Sequence, residues 1–483
     1  MAPPTSPSMT ASVLWSLCRT WGGRLAGFVI YFQLARLLTP AEMGLFSAAF
    51  ALLVLSDIVA DQGMVQAVVQ RREVGPAQLS AVLLANGITG AALAVLLWLA
   101  GGPVERWMAL PGLAPVLQAA GLTLLFSAGG YSQEAWARRE LRFRLLALRT
   151  LVSTIASGAL GVALAAMGYG VWALVAQLLL AAVLNLLLLW TSADRHRLAR
   201  PDWTALPGLF RFGSRVTGMR LLEYGGTRGV ELLIAAKLGA AALGLYAVGT
   251  KIHYICLQLL GAALVDVAQS GFARLAAEPA RLRQSYLDAV GHVALAATPA
   301  WIVLAAAAPE ACAIAFGPGW ADSAAVLTPF ALLGALQVLQ QFDTAALNAA
   351  GRPGSSMLLG GVRAAVALAC VLAVHDRGLA AVAWTYAVSQ ALLTPLSLWR
   401  VRRVIGAEPV DWLRQVWPPL LAALAAWSAG SAWRAWEAMA AWPAPARLFC
   451  LGAISIGVYG LVLAAVARPR IGALVQAARA RQP

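Results

Sequence analysis

The chain has 483 residues, of which 60% are hydrophobic and only 12% charged. An ordinary soluble domain is nearer one quarter charged, and here apolar runs of about 20 residues, enough to cross a bilayer, recur from end to end; a water-soluble enzyme or binding module is excluded. The net charge of +15 would suit nucleic acid, but in a membrane protein basic residues collect in cytoplasmic loops, and no nucleic-acid partner is expected.

Met1–Thr10 carries no charge and lacks a basic leader region, so the first apolar segment is expected to be retained as a span. The hydrophobic pattern predicts fourteen spans: 12–36, 43–69, 78–101, 112–133, 145–167, 169–191, 208–238, 241–267, 287–309, 323–348, 354–375, 377–399, 412–434 and 445–467. The fold class is therefore an all-α integral membrane protein of about 14 transmembrane helices. With the N-terminus placed in the cytoplasm, 22 loop or tail Arg and Lys residues fall on the inner side and six on the outer side. That asymmetry puts both termini inside and requires an even number of spans. Trp427, Trp433, Trp436 and Trp442 crowd the outer joint of the last two spans, as in an interfacial aromatic belt. Pro299, Pro329 and Pro395 fall within spans, where each reads as a hinge or as a static kink. The five cysteines lie in or beside apolar segments without C-x-x-C spacing and read as packing residues.

Two stretches repeat at a separation of 200 positions. Ala35–Ser47 (ARLLTPAEMGLFS) and Ala235–Ala247 (AAKLGAAALGLYA) share Ala35/Ala235, Leu38/Leu238, Ala41/Ala241, Gly44/Gly244 and Leu45/Leu245, with Phe46 opposite Tyr246. Gly168-Tyr169-Gly170 and Gly378-Leu379-Ala380 each open an apolar segment in a second echo. A duplicated apolar chain is the pattern of a transporter built from two halves. Six spans per half is an even number, so the halves insert in the same orientation as a parallel pseudo-two-fold repeat. The expected domains are residues 1–200 (spans 1–6), 201–405 (spans 7–12) and 406–483, an additional helix pair with a cytoplasmic tail.

Ionisable groups at bilayer depth are costly and face a cavity or a partner. Span 1 carries Arg19 and Arg24; span 2 Asp57 and Asp61; span 5 Arg149; span 7 Arg215, Arg220, Glu223, Arg228 and Glu231. Span 8 carries Lys251, His253 and Asp266, span 10 Asp343 and span 11 Arg363. At 100° per residue, Arg220, Glu223, Arg228 and Glu231 occupy an arc of roughly 140° on span 7. Two readings stand for that stripe: Arg220 and Arg228 line a water-filled cavity, or they pair with Glu223 and Glu231 at i,i+3. Arg19 and Arg24 have no acid on their own span; they bind an anion, phosphate suiting the guanidinium fork, or they pair with Asp57 and Asp61. Arg19, Arg24, Arg220, Arg228 and Lys251 are the candidate substrate-binding residues. Asp57 and Asp61, one turn apart, and His253 are candidates for proton or sodium coupling; an inert cytoplasmic end for Asp61 and one ordinary hydrogen bond for His253 are the alternatives.

Nothing in the chain carries catalysis. There is no H-E-x-x-H, no P-loop and no G-x-S-x-G, and the four histidines are scattered at 196, 253, 292 and 375, which argues against a metal site. No catalytic residue, metal or cofactor is expected, and the chain is not expected to be an enzyme. Without an ATPase motif, energy comes from a partner or an ion gradient.

The run from Ala35 to Glu73, Ala137–Arg144 (ARRELRFR), Gly168–Gln177 (GYGVWALVAQ) and Phe212–Tyr246 together resemble bacterial polysaccharide transport flippases of the Wzx type. The likeness covers most of spans 1–8 and weakens after about residue 400. These proteins belong to the multidrug/oligosaccharidyl-lipid/polysaccharide exporter superfamily. The resemblance implies two lobes around a V-shaped cavity. It also implies transport of an undecaprenyl-diphosphate-linked oligosaccharide from the inner to the outer leaflet of the bacterial inner membrane by alternating access. Similar lipid II flippases use cavity arginines from the first helix, which Arg19 and Arg24 match in type and location. Near Glu231 this chain departs from the family, whose members commonly have Asp beside Asn. Membrane lipid, a polysaccharide polymerase and a chain-length regulator are the implied partners, and nothing demands more than a monomer. A multidrug or organic-cation antiporter of the same superfamily is the alternative, disfavoured by the intramembrane arginines; a membrane-embedded glycosyltransferase or polymerase would need a larger external domain.

Overall fold

A computed structural model of the chain describes residues 23, 25–71, 73–192, 195–436 and 442–466. Arg19, Arg24, Met1–Thr10, Cys18, Arg72 and the tail arginines from Arg468 onward lie outside the described residues. Among those described, every regular element is a helix. In hydrocarbon the backbone has no water to bond, and a helix satisfies its N–H and C=O groups within one segment. Each of the fourteen apolar segments overlaps a helix, and among the described residues eleven helical stretches are long and apolar enough to cross a membrane.

The first compact unit ends at Gly244 and the second begins at Leu245. The helix 206–238, grouped by the duplication with the second half, thus packs with the first six spans. The repeat records how the chain was duplicated, whereas the units record which helices touch.

The first unit opens with α1 (Leu25–Leu37). Thr39 then breaks the helix and starts α2 (Pro40–Asp61): its hydroxyl accepts from the Glu42 N–H, while the Glu42 carboxylate accepts from the Thr39 N–H. This reciprocal cap, with Pro40 at the first turn, satisfies donors that a helix start leaves open. The chain turns at Gln62 and Gly63, both with positive φ, into α3 (Met64–Gln70). There follow α4 (Pro76–Met108), α5 (Leu113–Gly121), α6 (Thr123–Arg139), α7 (Phe143–Ala166) and α8 (Val171–Trp190). α2 packs against α4, α5, α6 and α8, and α7 packs on α8. Lipid tails are as apolar as leucine, so close packing of small residues holds such helices together. Ala48, Ala49, Ala51 and Ala60 of α2 are buried, whereas Ile88, Trp98 and Leu99 of α4 are more than half exposed, as side chains against lipid would be.

The next helix, α9 (Leu206–Leu257), is broken at Gly239, whose φ of 85° and ψ of 175° are closed to other residues. Gly239 stands 200 positions after Thr39, so the duplicated sequence is a helix break in both copies. The second echo has the same character: Gly168 (φ 84°) precedes α8 and Gly378 (φ 88°) precedes α15 (Leu379–Leu392).

In the second unit α9 continues through a π turn into α10 (Ala263–Arg274). Then come α11 (Pro279–Ala306), α12 (Ala308–Phe316), α13 (Ala324–Ala349), α14 (Pro353–Val374), α15, α16 (Thr394–Ile405), α17 (Pro409–Arg434) and α18 (Ala444–Val466). Its core gathers Trp301, Tyr286, Phe342 and Val338; Gly334 faces the Trp301 ring, and a methyl there would overlap it. The additional pair α17 and α18 packs together and against α11. Pro299 and Pro329 lie inside α11 and α13, while Pro395 starts α16 and splits the predicted twelfth span in two. Trp433 and Trp442 meet edge to face with ring centres 6.4 Å apart.

Candidate functional site

The first arm of α9 lies antiparallel to α2, and glycines at both ends let it. Gly63 faces the backbone of Gly213, and Gly213 faces the Gln62 carbonyl. At the other end Gly44 faces the Ala240 carbonyl and Gly244 faces the Pro40 carbonyl. Pro40 and Ala240 are themselves equivalents in the duplication, so this contact is reciprocal across the repeat. A Cβ at any of these four glycines would overlap backbone, and this sets the close approach of the two segments.

The charges fall between those glycine contacts. Arg220 Nη1 lies 2.8 Å from Asp61 Oδ2. The other Asp61 oxygen accepts from the Val65 N–H at 3.3 Å, so the same carboxylate holds the start of α3 and the arginine of α9. Arg228 Nη1 donates to both oxygens of Glu231 at 2.8 and 2.7 Å and its guanidinium sits over the Phe50 ring, 5.6 Å from the centroid. Asp57 accepts from the Tyr131 hydroxyl at 2.5 Å. Glu134 pairs with Arg138 at 2.7 Å and Arg149 at 3.1 Å.

The expected i,i+3 partnership is thus found for Arg228 with Glu231 and not for Arg220 with Glu223. Glu223 is exposed, and Arg220 reaches to α2 instead, because Asp61 is buried and an unpaired charge there costs far more than an exposed one. Asp61 is the last residue of α2 and is buried there. Asp57 and Asp61 share a helix face but hold different partners, a phenol and a guanidinium. Tyr131 carried no sequence signal, since a lone tyrosine in an apolar segment looks like packing.

In the second unit, Lys251 is half-buried on the second arm of α9. His253 is buried; its Nε2 meets Gln337 Oε1 at 2.9 Å, and its ring is packed by Tyr254, Trp301 and Phe330. Asp343 is fully buried and accepts from Tyr286 Oη at 2.7 Å and Ser397 Oγ at 2.6 Å. Among the described residues no cluster of His, Cys, Asp or Glu is arranged to hold a metal.

Outside the spans, the segment after α8 is tied down by polar contacts. His196 Nε2 meets Ser132 Oγ at 3.1 Å, and Gln133 bonds both the N–H and the carbonyl of His196. The Ala199 N–H donates to Ser80 Oγ at 3.0 Å, and the Asp202 N–H to the Ala77 carbonyl at 3.0 Å. Burial pushes the His196 imidazole below the ordinary histidine value, against the raising effect of the Arg197 carbonyl. Hydrogen bonds from the Thr204 hydroxyl and N–H hold the Asp202 carboxyl below the usual carboxylate range.

Comparison with known proteins decides the family. Residues 33–325 match the polysaccharide biosynthesis protein family. The chain belongs to it. Among its relatives, the teichuronic acid biosynthesis protein TuaB of Bacillus subtilis is 25% identical over 427 residues, covering 87% of this chain and 88% of that protein. The lipopolysaccharide biosynthesis protein WzxC of Escherichia coli is 22% identical over 424 residues, covering 82% of each. The succinoglycan biosynthesis transport protein ExoT of Rhizobium meliloti is 24% identical over 325 residues, 67% of this chain and 66% of its own. Among solved structures, the lipid II flippase MurJ in an inward closed conformation superposes with a TM-score of 0.75 at 11% identity, over 95% of this chain and all of that one. An inward-facing multidrug resistance transporter of the MATE family gives 0.64 at 15% identity, over 80% and 94%. At such identities the likeness is one of fold: this family member shares the helical fold of those two proteins.

Proposed function

We propose that the protein is a flippase that carries an oligosaccharide linked to a polyprenyl diphosphate from the inner to the outer leaflet, for assembly of a surface polysaccharide. The observation that carries this reading is a polysaccharide-biosynthesis family member with a transporter fold and guanidinium groups on membrane-spanning helices. A diphosphate must shed water to cross, and arginines replace that hydration. The prenyl tail stays in lipid. The protein is a carrier and not an enzyme, in keeping with the transport role named for ExoT and the flippase named among the fold neighbours.

In this reading Asp61 and Glu231 hold Arg220 and Arg228, and the diphosphate competes with those carboxylates. Arg19, Arg24 and Lys251 complete the substrate-binding set. Exchange of one anion for another keeps each guanidinium neutralised throughout the cycle, while the displaced Asp61 and Glu231 carboxylates must be neutralised in their turn. Asp61, once released, is free to take up a proton or sodium ion, which couples transport to a gradient; Asp57 and His253 are the further coupling candidates. Transport proceeds by alternating access, with 406–483 as an accessory pair. The chain resides as a monomer in the bacterial inner membrane with both termini cytoplasmic, and hands its cargo to a polymerase and its chain-length regulator.

The test is genetic and chemical. Depleting the protein in a strain that makes a surface polymer is expected to accumulate lipid-linked repeat units on the cytoplasmic leaflet and to stop polymer export. Normal export with no accumulated intermediate would rule the reading out.

A further inference from the structure

We infer that Arg363, in the second unit, is a binding residue for a phosphate of the transported lipid, an assignment that rests on the flippase reading and adds a group on α14 to it. Arg363 is the eleventh of the 22 residues of α14, midway along a span, where an arginine has the least access to water at either membrane face. Its Nε and Nη2 atoms are buried and have no hydrogen-bond acceptor among the described residues. Three other intramembrane arginines among the described residues differ, although the Nε of Arg149 and that of Arg228 are also buried without an acceptor. Arg149, Arg220 and Arg228 each hold a carboxylate through an Nη atom.

The carboxylate placed to neutralise Arg363 is otherwise engaged. Asp343 is its electrostatic neighbour, yet the Asp343 oxygens accept from Tyr286 Oη at 2.7 Å and Ser397 Oγ at 2.6 Å. Those hydroxyls come from α11 and α16, so Asp343 serves to join three helices and its charge offsets Arg363 only from a distance. The backbone around the arginine is fixed too: Gln390 Nε2 donates to the Arg363 carbonyl at 3.1 Å, and Gln340 Nε2 ties α13 to Thr394 Oγ1 at 3.0 Å. Tyr386 of α15, stacked on Phe330 with centroids 5.0 Å apart, is the remaining electrostatic neighbour. An arginine so held, with two adjacent N–H donors left open, presents one edge of its fork. Two parallel N–H groups match two oxygens of one phosphate. A buried donor without an acceptor is costly, and a phosphate anion removes that cost while neutralising the charge.

The experiment uses the full-length protein in nanodiscs and measures the rise in melting temperature on adding farnesyl diphosphate, with farnesol as the tail-only control. Wild type, Arg363→Gln, Arg363→Lys and the exposed-loop control Arg352→Gln are compared, alongside flipping of a fluorescent lipid-linked oligosaccharide. The expected result is a loss of at least tenfold in diphosphate affinity for Arg363→Gln, partial recovery in Arg363→Lys, which keeps the charge but not the fork, and wild-type behaviour for Arg352→Gln. A purely structural role would lower the melting temperature of Arg363→Gln with and without ligand alike and leave the ligand-dependent rise intact; that result overturns the assignment. Wild-type diphosphate affinity and flipping in Arg363→Gln would also overturn it while leaving the flippase reading standing. Wild-type protein that neither binds the diphosphate nor flips the lipid would instead remove the flippase reading and this assignment with it. Competition by phosphatidylglycerol as strong as by farnesyl diphosphate would give the site to bulk anionic lipid and overturn the substrate assignment.

Discussion

Asp61 and Arg220 lie 159 positions apart in the chain and 2.8 Å apart in space, and their ion pair joins the last residue of α2 to the first arm of α9. The carboxylate is buried and the guanidinium about one third exposed. Removing either partner leaves the other charge uncompensated, whereas exchanging the two preserves the pair. Arg220→Ala and Asp61→Ala are each expected to lower stability by about 3 kcal/mol. Asp61→Arg with Arg220→Asp is expected to recover most of that loss, read as melting temperature in detergent. Strictly additive losses in the exchanged protein would show that the pair contributes nothing.

The reciprocal contact of Gly44 with Ala240 and Gly244 with Pro40 makes a second prediction. Gly44→Leu and Gly244→Leu each force the two joints apart, at a cost of about 1–3 kcal/mol for overpacking. Because the contact is shared, the double substitution is expected to cost less than the sum of the singles. Cysteines at Ala41 and Ala241, crosslinked with reagents of increasing length, would register the widening. Unchanged crosslinking in the leucine variants would contradict the close approach.

Function gives the third. Under the flippase reading, Arg24→Ala and Arg220→Ala are each expected to cut polymer export at least tenfold relative to the amount of protein in the membrane. Export of surface polymer per unit of immunoblotted protein is the measurement. Full export from both variants would remove these residues from the substrate-binding set.

The fourth concerns pH. The His196 imidazole is held below its ordinary value of 6.5 by burial, so the folded state binds a proton less readily than the unfolded chain. Its contribution to stability is therefore complete above that value and is lost as pH falls below it toward the folded value. Corrected for the intrinsic pH dependence of amide exchange, the protection factors across residues 195–205 are expected to fall as pH drops from 7 to 5, and the effect to vanish in His196→Gln. The Asp202 carboxyl works in the same direction at lower pH: its stabilisation is present above the usual carboxylate range and is lost as pH falls through the depressed value. Protection factors that stay constant from pH 7 to 5 would contradict the His196 account.

Much of this was legible in the chain, for identifiable reasons. Apolar runs locate helices because hydrocarbon permits little else, and the duplicated Leu38-to-Leu45 and Leu238-to-Leu245 stretches mark helix breaks because Thr39 and Gly239 are residues that end helices. The arginine stripe on span 7 was visible as a violation of burial rules. Its partners were legible only in part. Arg228 with Glu231 follows from helical periodicity, but Arg220 with Asp61 depends on which helix lies alongside, and glycines at 63 and 213 that permit the approach carry no charge signal. Arg363 and Asp343 stood out as intramembrane charges, yet the hydroxyls of Tyr286 and Ser397 that occupy Asp343 did not, since such residues are ordinary in apolar helices.

The central claim is movement of a diphosphate-linked oligosaccharide across a bilayer. Its most direct measurement places purified protein in vesicles whose lipid-linked oligosaccharide is labelled and asks what fraction becomes accessible to a membrane-impermeant glycosidase added outside. Protein-free vesicles should expose about half, the outer-leaflet share, and vesicles containing the protein are predicted to approach complete cleavage, with Arg220→Ala lagging well behind. Cleavage that stops at half in the presence of folded wild-type protein, with and without an imposed proton or sodium gradient, would contradict the account.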